Sequence, residues 1–495
     1  MPTTDALPRR RQILVLVICC MSLLIVGIDS TIVNVALPAI HRGLHASLSG
    51  LQWVIDAYTL VLASLLMLSG STGDRVGRKR VFQTGLLTFT LGSALCAVAP
   101  SLGVLVAARA LQAIGGSMLN PVAMSIIRNV FPDPRERAQA IGVWSATIGV
   151  SMGLGPVLGG ALVDSVGWRY VFLVNVPVGL AACLLTALFV PDSRAAHARR
   201  IDPIGQLLVI VGLASITYAI IEGGAHGWTS PEIVSLFVLS LLSFAALIRY
   251  ELRTREPLIE VRFFQSAPFS GASLIAVCLF ASYGGFLFLN TLSLQDVRGM
   301  SALDAGLRTL PIAVATVIMA PISGAIVARR GTRWPLLVAG VTLTLSPLLL
   351  VSLTPHTSLA LLAASYVIFG IGFGLANAPV TATAVSGMPP GQAGVAAAVA
   401  STSRQVGATM GIAVVGAVVG AGSGNVFGSQ FAHATHPGWS LITGLGVVML
   451  AVGGLSTTAR ALRSASATAQ RLEHQFTGEQ PAGVTPALAP SSQRA

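Results

Sequence analysis

Stretches of about twenty apolar residues recur along almost the whole chain, each long enough to cross a hydrocarbon core of about 30 Å as a helix. A polypeptide of this kind has few options, because in lipid every backbone N–H and C=O must be satisfied within the chain and only helices and closed barrels achieve that. Apolar runs this long predict helices. With 54% hydrophobic and only 10% charged residues over 495 positions, the chain reads as an all-α integral membrane protein with about fourteen spans. Their expected bounds are 13–37, 51–71, 81–99, 102–127, 139–163, 170–190, 204–222, 232–250, 269–290, 306–328, 335–353, 359–385, 392–420 and 440–458. The first run follows Arg9, Arg10 and Arg11 as a signal sequence would. It is too long for one and lacks a small-x-small cleavage site, so it is expected to be retained.

The net charge of +12 would suit a nucleic-acid partner if it formed a patch, but it is spread by topology. Arginines crowd the loops on the side of the two termini, among them Arg75, Arg78, Arg80, Arg128, Arg249, Arg329 and Arg330, while the other side holds only Arg42, Arg169, Arg298 and Arg308. The positive-inside rule then places both termini in the cytoplasm and excludes nucleic acid. Cys19, Cys20, Cys96, Cys183 and Cys278 lie in apolar spans without C-x-x-C spacing and read as packing thiols, with no metal site. The histidines fall in expected loops or the tail, so no histidine relay crosses the membrane.

An internal repeat is visible. Gly70 and Gly77 of "GSTGDRVGRKR" match Gly324 and Gly331 of "GAIVARRGTR" at an offset of 254, and Asn120 of "GGSMLNPV" matches Asn377 of "GFGLANAPV" at 257. Parallel six-helix repeats are a transporter plan. The expected units are a half at 1–190, a two-helix insert with its flanking loops at 191–268, a second half at 269–458 and a disordered tail at 459–495 rich in Ser, Ala, Thr, Pro and Gln. The repeat is degenerate: Asp74 corresponds to Ala328 and Arg109 to Tyr366.

Four ionisable residues fall well inside spans: Asp29, Asp56, Arg109 and Arg404. The first three lie within roughly 8–14 Å of the outer surface by helical rise. Charges at such depth normally face a bundle interior or a wet cavity and pair with one another. Asp29 could trade a proton for a cation, or form a fixed ion pair with Arg109. Asp56 allows a coupling or a structural role, and Arg404 either attracts an anionic group or bonds helix-end carbonyls. The short loop "GDRVGRKR" reads either as an inner latch or as a topogenic cluster. "GLGPVLGG", with Gly155, Pro156, Gly159 and Gly160, suits a hinge, a tight helix contact or both. Lys79 is the only lysine and sits between Arg78 and Arg80, which rules out a Walker phosphate loop. No hydrolase or metalloprotease motif appears either, so a non-enzymatic protein without a cofactor, driven by a proton gradient, is expected.

These motifs together resemble the fourteen-helix drug:proton antiporter subfamily of the major facilitator superfamily, across essentially all spans. Gly70, Asp74, Arg75, Gly77, Arg78 and Lys79 resemble its motif A; "RALQAIGG", with Arg109, Gln112 and Gly115, resembles motif B. Gly155, Pro156, Gly159 and Gly160 resemble the antiporter motif C, and "DSTIVNVALP", with Asp29, Thr31, Asn34 and Pro38, the helix-1 motif; "WRYVFLVNVPVG" adds to the match. One position departs from the pattern: Ser151 stands where a glycine is usual. The resemblance implies proton or substrate coupling at Asp29 and Arg109, beside which Asp56 is a coupling candidate by its depth, gating by motif A and exchange direction through motif C. It leaves Asn34, Gln112 and Arg404 as substrate or packing residues. It implies a multi-pass protein of a bacterial inner membrane that exchanges protons for small lipophilic cations or antibiotics by alternating access, in contact with lipid. An exporter dedicated to one metabolite, such as a self-made antibiotic, amino acid or siderophore, fits the same residues.

Overall fold

The structure is a computed structural model, and its described residues are 8–194, 201–254, 257–386, 388, 393–423 and 429–477. Among them every regular element is a helix: α1 (Arg9–Leu44), α2 (Leu48–Val76), α3 (Arg78–Ala97), α4 (Leu102–Val130), α5 (Pro134–Ser165), α6 (Tyr170–Leu173), α7 (Asn175–Phe189), α8 (Pro203–His226) and α9 (Pro231–Glu251). After a short 3-10 turn follow α10 (Ala267–Leu292), α11 (Ala302–Arg330), α12 (Arg333–Leu348), α13 (Leu359–Val385), α14 (Ala393–Ser423), α15 (Ser429–Ala434), α16 (His436–Ser456) and α17 (Ala459–Thr477). The starts are encoded locally. Ser47, Ser101, Asp133, Asp202, Ser230, Ser301 and Ser358 each accept a backbone N–H of the first turn, and Pro134, Pro203 and Pro231 occupy first positions where no donor is needed.

Twelve helical segments among the described residues are long and apolar enough to cross a membrane, against the fourteen expected. The two that fall short are α3 and α12. Every eighteen-residue window of α3 includes Arg80 and Gln83, and α12 has only 16 residues. Both still pack inside the bundle, α3 on α4 and α12 on α13 and α16. The expected span 170–190 is found as one segment, Tyr170–Phe189, with a local irregularity at Val174, where Pro177 has no N–H to give the carbonyl of Leu173. A second correction concerns the segment from 459: α17 is a helix with polar and apolar faces, tied to α10 by the Ala267 N–H donating to Ser464 Oγ at 3.0 Å. The remainder of that expected tail lies outside the described residues.

Rows of leucine one turn apart face outward, Leu87, Leu91 and Leu95 on α3 and Leu180, Leu184 and Leu188 on α7. Apolar ridges on that scale suit lipid and would be a liability in water. The chain is a multi-pass membrane protein. Its helices run alternately between the face that carries Arg9 and Ser456, here the termini face, and the opposite far face.

Helices α1–α7 and α10–α16 pack mainly among themselves, α8 and α9 pair with each other, and the two large groups meet along two seams, α5 against α11 and α2 against α14. The seam α5–α11 closes from Gly160 on Ala302, through Pro156 on Gly306, to Gly149 on Val317. A large core cluster joins both groups towards the far face and includes Ile40, Leu48 and Leu51 of the first with Leu289, Leu292 and Leu294 of the second. The polar links agree. Gln295 Nε2 donates to Val35 O at 2.9 Å, Gln52 Nε2 to Ile412 O and Ala413 O at 3.1 and 3.0 Å, and Arg42 pairs with Asp296 at 3.6 Å. Among the described residues no hydrogen bond or ion pair joins the groups on the termini side of the Thr59–Thr409 contact.

Candidate functional site

The interior of α1–α7 holds a buried ionic network. Asp29 on α1 is fully buried, and both its oxygens are engaged. Arg109 Nη1 donates to Oδ2 at 2.6 Å, while Gln112 Nε2 and Asn175 Nδ2 donate to Oδ1 at 2.8 and 3.0 Å. Arg109 is also held by Val54 O (3.1 Å), by Gln112 Oε1 (2.6 Å) and by the ring of Tyr58, 4.1 Å from its guanidinium carbon. Ser93 Oγ accepts from Gln112 and Asn175 and closes the network between α3, α4 and α7. A buried pair survives desolvation only when the remaining donors and acceptors are satisfied, and here both carboxylate oxygens and the Nε and Nη1 of Arg109 are engaged. Arg109 and Gln112 reach one carboxylate because they stand three residues apart on one face of α4.

Of the residues singled out in the sequence, Asp29, Arg109 and Gln112 come together. Asp56 shares the membrane interior with them but not the network. It lies two residues after Val54, about 200° further round α2, and so faces α14. It is fully buried, its Oδ1 accepts only from Thr59 Oγ1 at 3.4 Å, and its Oδ2 meets no donor among the described residues. Thr409 Oγ1 of α14 donates in turn to Thr59 Oγ1 at 2.9 Å, so this carboxylate sits one hydroxyl from the opposing half. Asn34 stays local, donating to Ser30 O of its own helix at 3.1 Å. Arg404 reaches Thr381 Oγ1 across to α13, and no acceptor among the described residues meets its Nε. At the position matched to Arg109, Tyr366 donates to Asn290 Oδ1: a neutral bond stands in the second half where the first has an ion pair.

Asn175, Ser93 and Tyr58 were not singled out from the sequence. Asn175 lies within "WRYVFLVNVPVG", and a lone amide in so apolar a run was the signal that could have found it. Ser93 and Tyr58 carry no comparable mark.

The glycine-rich stretch of α5 serves contact on two sides. A Cβ at Gly155 or Gly159 would strike Thr31 or Ile32 of α1, and one at Gly160 would strike the Ala302 carbonyl of α11. Ser151, the departure from the pattern, is accommodated by Gly27 of α1, where an added Cβ would collide with the Ser151 side chain. The small residue has changed helices. Beside this contact, Met152, Pro156, Tyr283, Leu287, Thr309, Ile312 and Ala313 line a narrow crevice of about 10 Å³ between α5, α10 and α11.

At the termini face Gly77 takes φ +125°, a backbone region open to glycine at little cost, and lets α3 turn straight out of α2. Asp74 accepts from Arg78 Nε and Nη2 at 3.0 and 2.9 Å, Lys79 Nζ donates to Ala187 O at the end of α7 (2.8 Å), and the Arg78 N–H donates to Ser193 O. Gly70 packs near Pro121 of α4, and Arg75 is exposed. These cations meet a carboxylate and a helix C-terminus of their own half.

Two helical groups meeting on two seams around buried charged side chains define a membrane transport protein. The pattern of the Major Facilitator Superfamily matches residues 19–412, and the chain belongs to that family. It is 36% identical over 406 residues to the Multidrug resistance protein Stp of Mycobacterium tuberculosis, covering 82% of this chain and 75% of that one. It is 35% identical over 416 residues to a Tetracenomycin C resistance and export protein of Streptomyces glaucescens (84% and 77%), and 33% over 469 residues to the Multidrug efflux pump LfrA of Mycolicibacterium smegmatis (94% and 91%). Among solved structures, a POT family transporter in complex with 5-aminolevulinic acid superposes with a TM-score of 0.68 at 15% identity, covering 92% of this chain and 98% of that one. A bacterial homologue of the human lysosomal transporter Spinster gives 0.65 at 18% (94% and 98%). These likenesses concern the fold.

Proposed function

We propose that the protein exports drugs or antibiotics in exchange for protons, by alternating access between the halves 1–190 and 269–458, with 191–268 as a two-helix insert. In this reading α3 and α12 also cross, giving fourteen spans, the termini face is cytoplasmic, and the membrane is a bacterial inner membrane. The relatives, which include a multidrug resistance protein, a multidrug efflux pump and a Tetracenomycin C resistance and export protein, support efflux.

The observation that carries proton coupling is the contrast between the two aspartates. Asp29 already has a counter-charge in Arg109. Asp56 has none in a closed seam, and an unpaired charge in such a place is costly; a proton is the counter-charge that fits the space. Protonation at Asp56 then goes with the closed seam, and its release with parting of α2 and α14. Asp29 with Arg109 forms the polar scaffold on which that seam rests, and the proton gradient supplies the energy. Motif A gates at the termini face and motif C sets the approach of α5 to α1 and α11.

The test is antiport in everted vesicles, monitored by collapse of the pH gradient when a drug is added. Asp56→Asn should abolish drug-induced proton release while the protein still reaches the membrane. Normal proton release in that variant sinks the assignment, and no response of the wild type to any drug of a broad panel sinks the efflux reading.

A further inference from the structure

The reading above leaves the substrate open, and a strip on the second half narrows it. Phe369, Phe373, Asn377 and Thr381 recur every four residues along one face of α13. Phe373 is flanked by Tyr283 and Phe280 of α10, ring centroids 4.8 and 5.4 Å away, and lies nearly parallel to Phe369. One turn on, Asn377 Nδ2 donates to Phe373 O at 2.9 Å; a further turn on, Thr381 donates to Asn377 O at 3.2 Å and accepts from Arg404. Tyr283, Phe280, Asn377, Thr381 and Arg404 are all partly exposed. From the rings around Phe373, beside the narrow crevice at Pro156, the strip thus reaches a guanidinium over about 12 Å of helix.

We propose that this strip is the substrate site and that it takes a planar fused-ring aromatic compound bearing an acidic oxygen at one end. The proposal rests on the efflux reading and names its substrate class. Flat rings stack against Tyr283 and Phe280, and the oxygen meets Arg404, whose Nε has no acceptor among the described residues. Charge decides against a lipophilic cation. Both oxygens of Asp29 are taken up by Arg109, Gln112 and Asn175, and Asp56 is fully buried. With α2 and α14 closed over Asp56, the ion that a guest on this strip would meet is a cation, and a second cation brought beside it in a poorly hydrated interior is repelled.

The test uses everted vesicles from a pump-deficient host and three probes on one ring system: anthraquinone-2-carboxylate, anthraquinone, and a 2-trimethylammonium anthraquinone. The wild type should accumulate the carboxylate over the ammonium compound by about tenfold or more, and Arg404→Gln should lower carboxylate relative to parent quinone by about tenfold. Arg404→Lys keeps the charge and should retain the preference. Preference for the ammonium probe, or an unchanged carboxylate-to-quinone ratio in Arg404→Gln, overturns the proposal. If Arg404→Gln fails to reach the membrane, the wild-type ratio and Arg404→Lys decide. Export of other drugs with none of the three probes moved overturns this inference alone; export of nothing at all overturns the efflux reading with it.

Discussion

The carboxylate of Asp164, at the end of α5, accepts the backbone N–H groups of Ala302 and Leu303 at 3.1 and 2.8 Å, so the last turn of one half caps the first turn of α11 in the other. The first N–H groups of a helix have no partner within it and carry partial positive charge. A carboxylate placed there by the opposing half is a clasp on the far face, in line with Gln295 on Val35 and Arg42 on Asp296.

Removing the clasp should loosen that face. A capping side chain is worth about 1 kcal/mol, so Asp164→Ala should shift a two-state equilibrium towards far-face opening by about fivefold. Spin labels at Val166 and Leu359, both exposed, in a background lacking the native cysteines, should then show a longer distance population. An unchanged distribution would mean the clasp bears no load.

The contact between α1 and α5 makes a second, reciprocal prediction. Gly27→Ala places a methyl group where Ser151 already stands, and overpacking of this kind costs about 1–3 kcal/mol. Thermal stability in detergent should fall for Gly27→Ala and recover in Gly27→Ala with Ser151→Gly, because residues in contact are not additive. Equal loss in single and double variants would show that the clash lies elsewhere.

For the buried network, removing one partner leaves an uncompensated charge, which costs about 3–5 kcal/mol. Arg109→Leu should therefore lose more stability than Arg109→Leu with Asp29→Asn, in which no carboxylate is stranded. Melting of the purified variants gives the comparison, and a double variant no more stable than the single one removes the pair's structural role.

Much of this was legible early. Span positions followed from hydropathy, and α13 matches its expected bounds, Leu359 to Val385. Asp29, Arg109 and Gln112 stood out because charged and amide groups are rare at such depth. Asp164 did not, since a carboxylate at a helix end in a loop region is ordinary until the facing helix start is known. Asp56 was grouped with Asp29 by depth, yet two residues along α2 were enough to turn it to another helix.

The sequence by itself determined that the chain is helical, crosses a membrane many times, and carries a few ionisable groups inside. Those properties follow from local composition, because burial of apolar surface and internal backbone bonding act segment by segment. Only the tertiary structure decided which aspartate is paired and which is left open, that Gly27 answers Ser151, and that the polar links between the halves gather on the far face. Such facts depend on distances between helices remote in the chain, and a buried charge draws its meaning from whatever lies within a few ångströms of it.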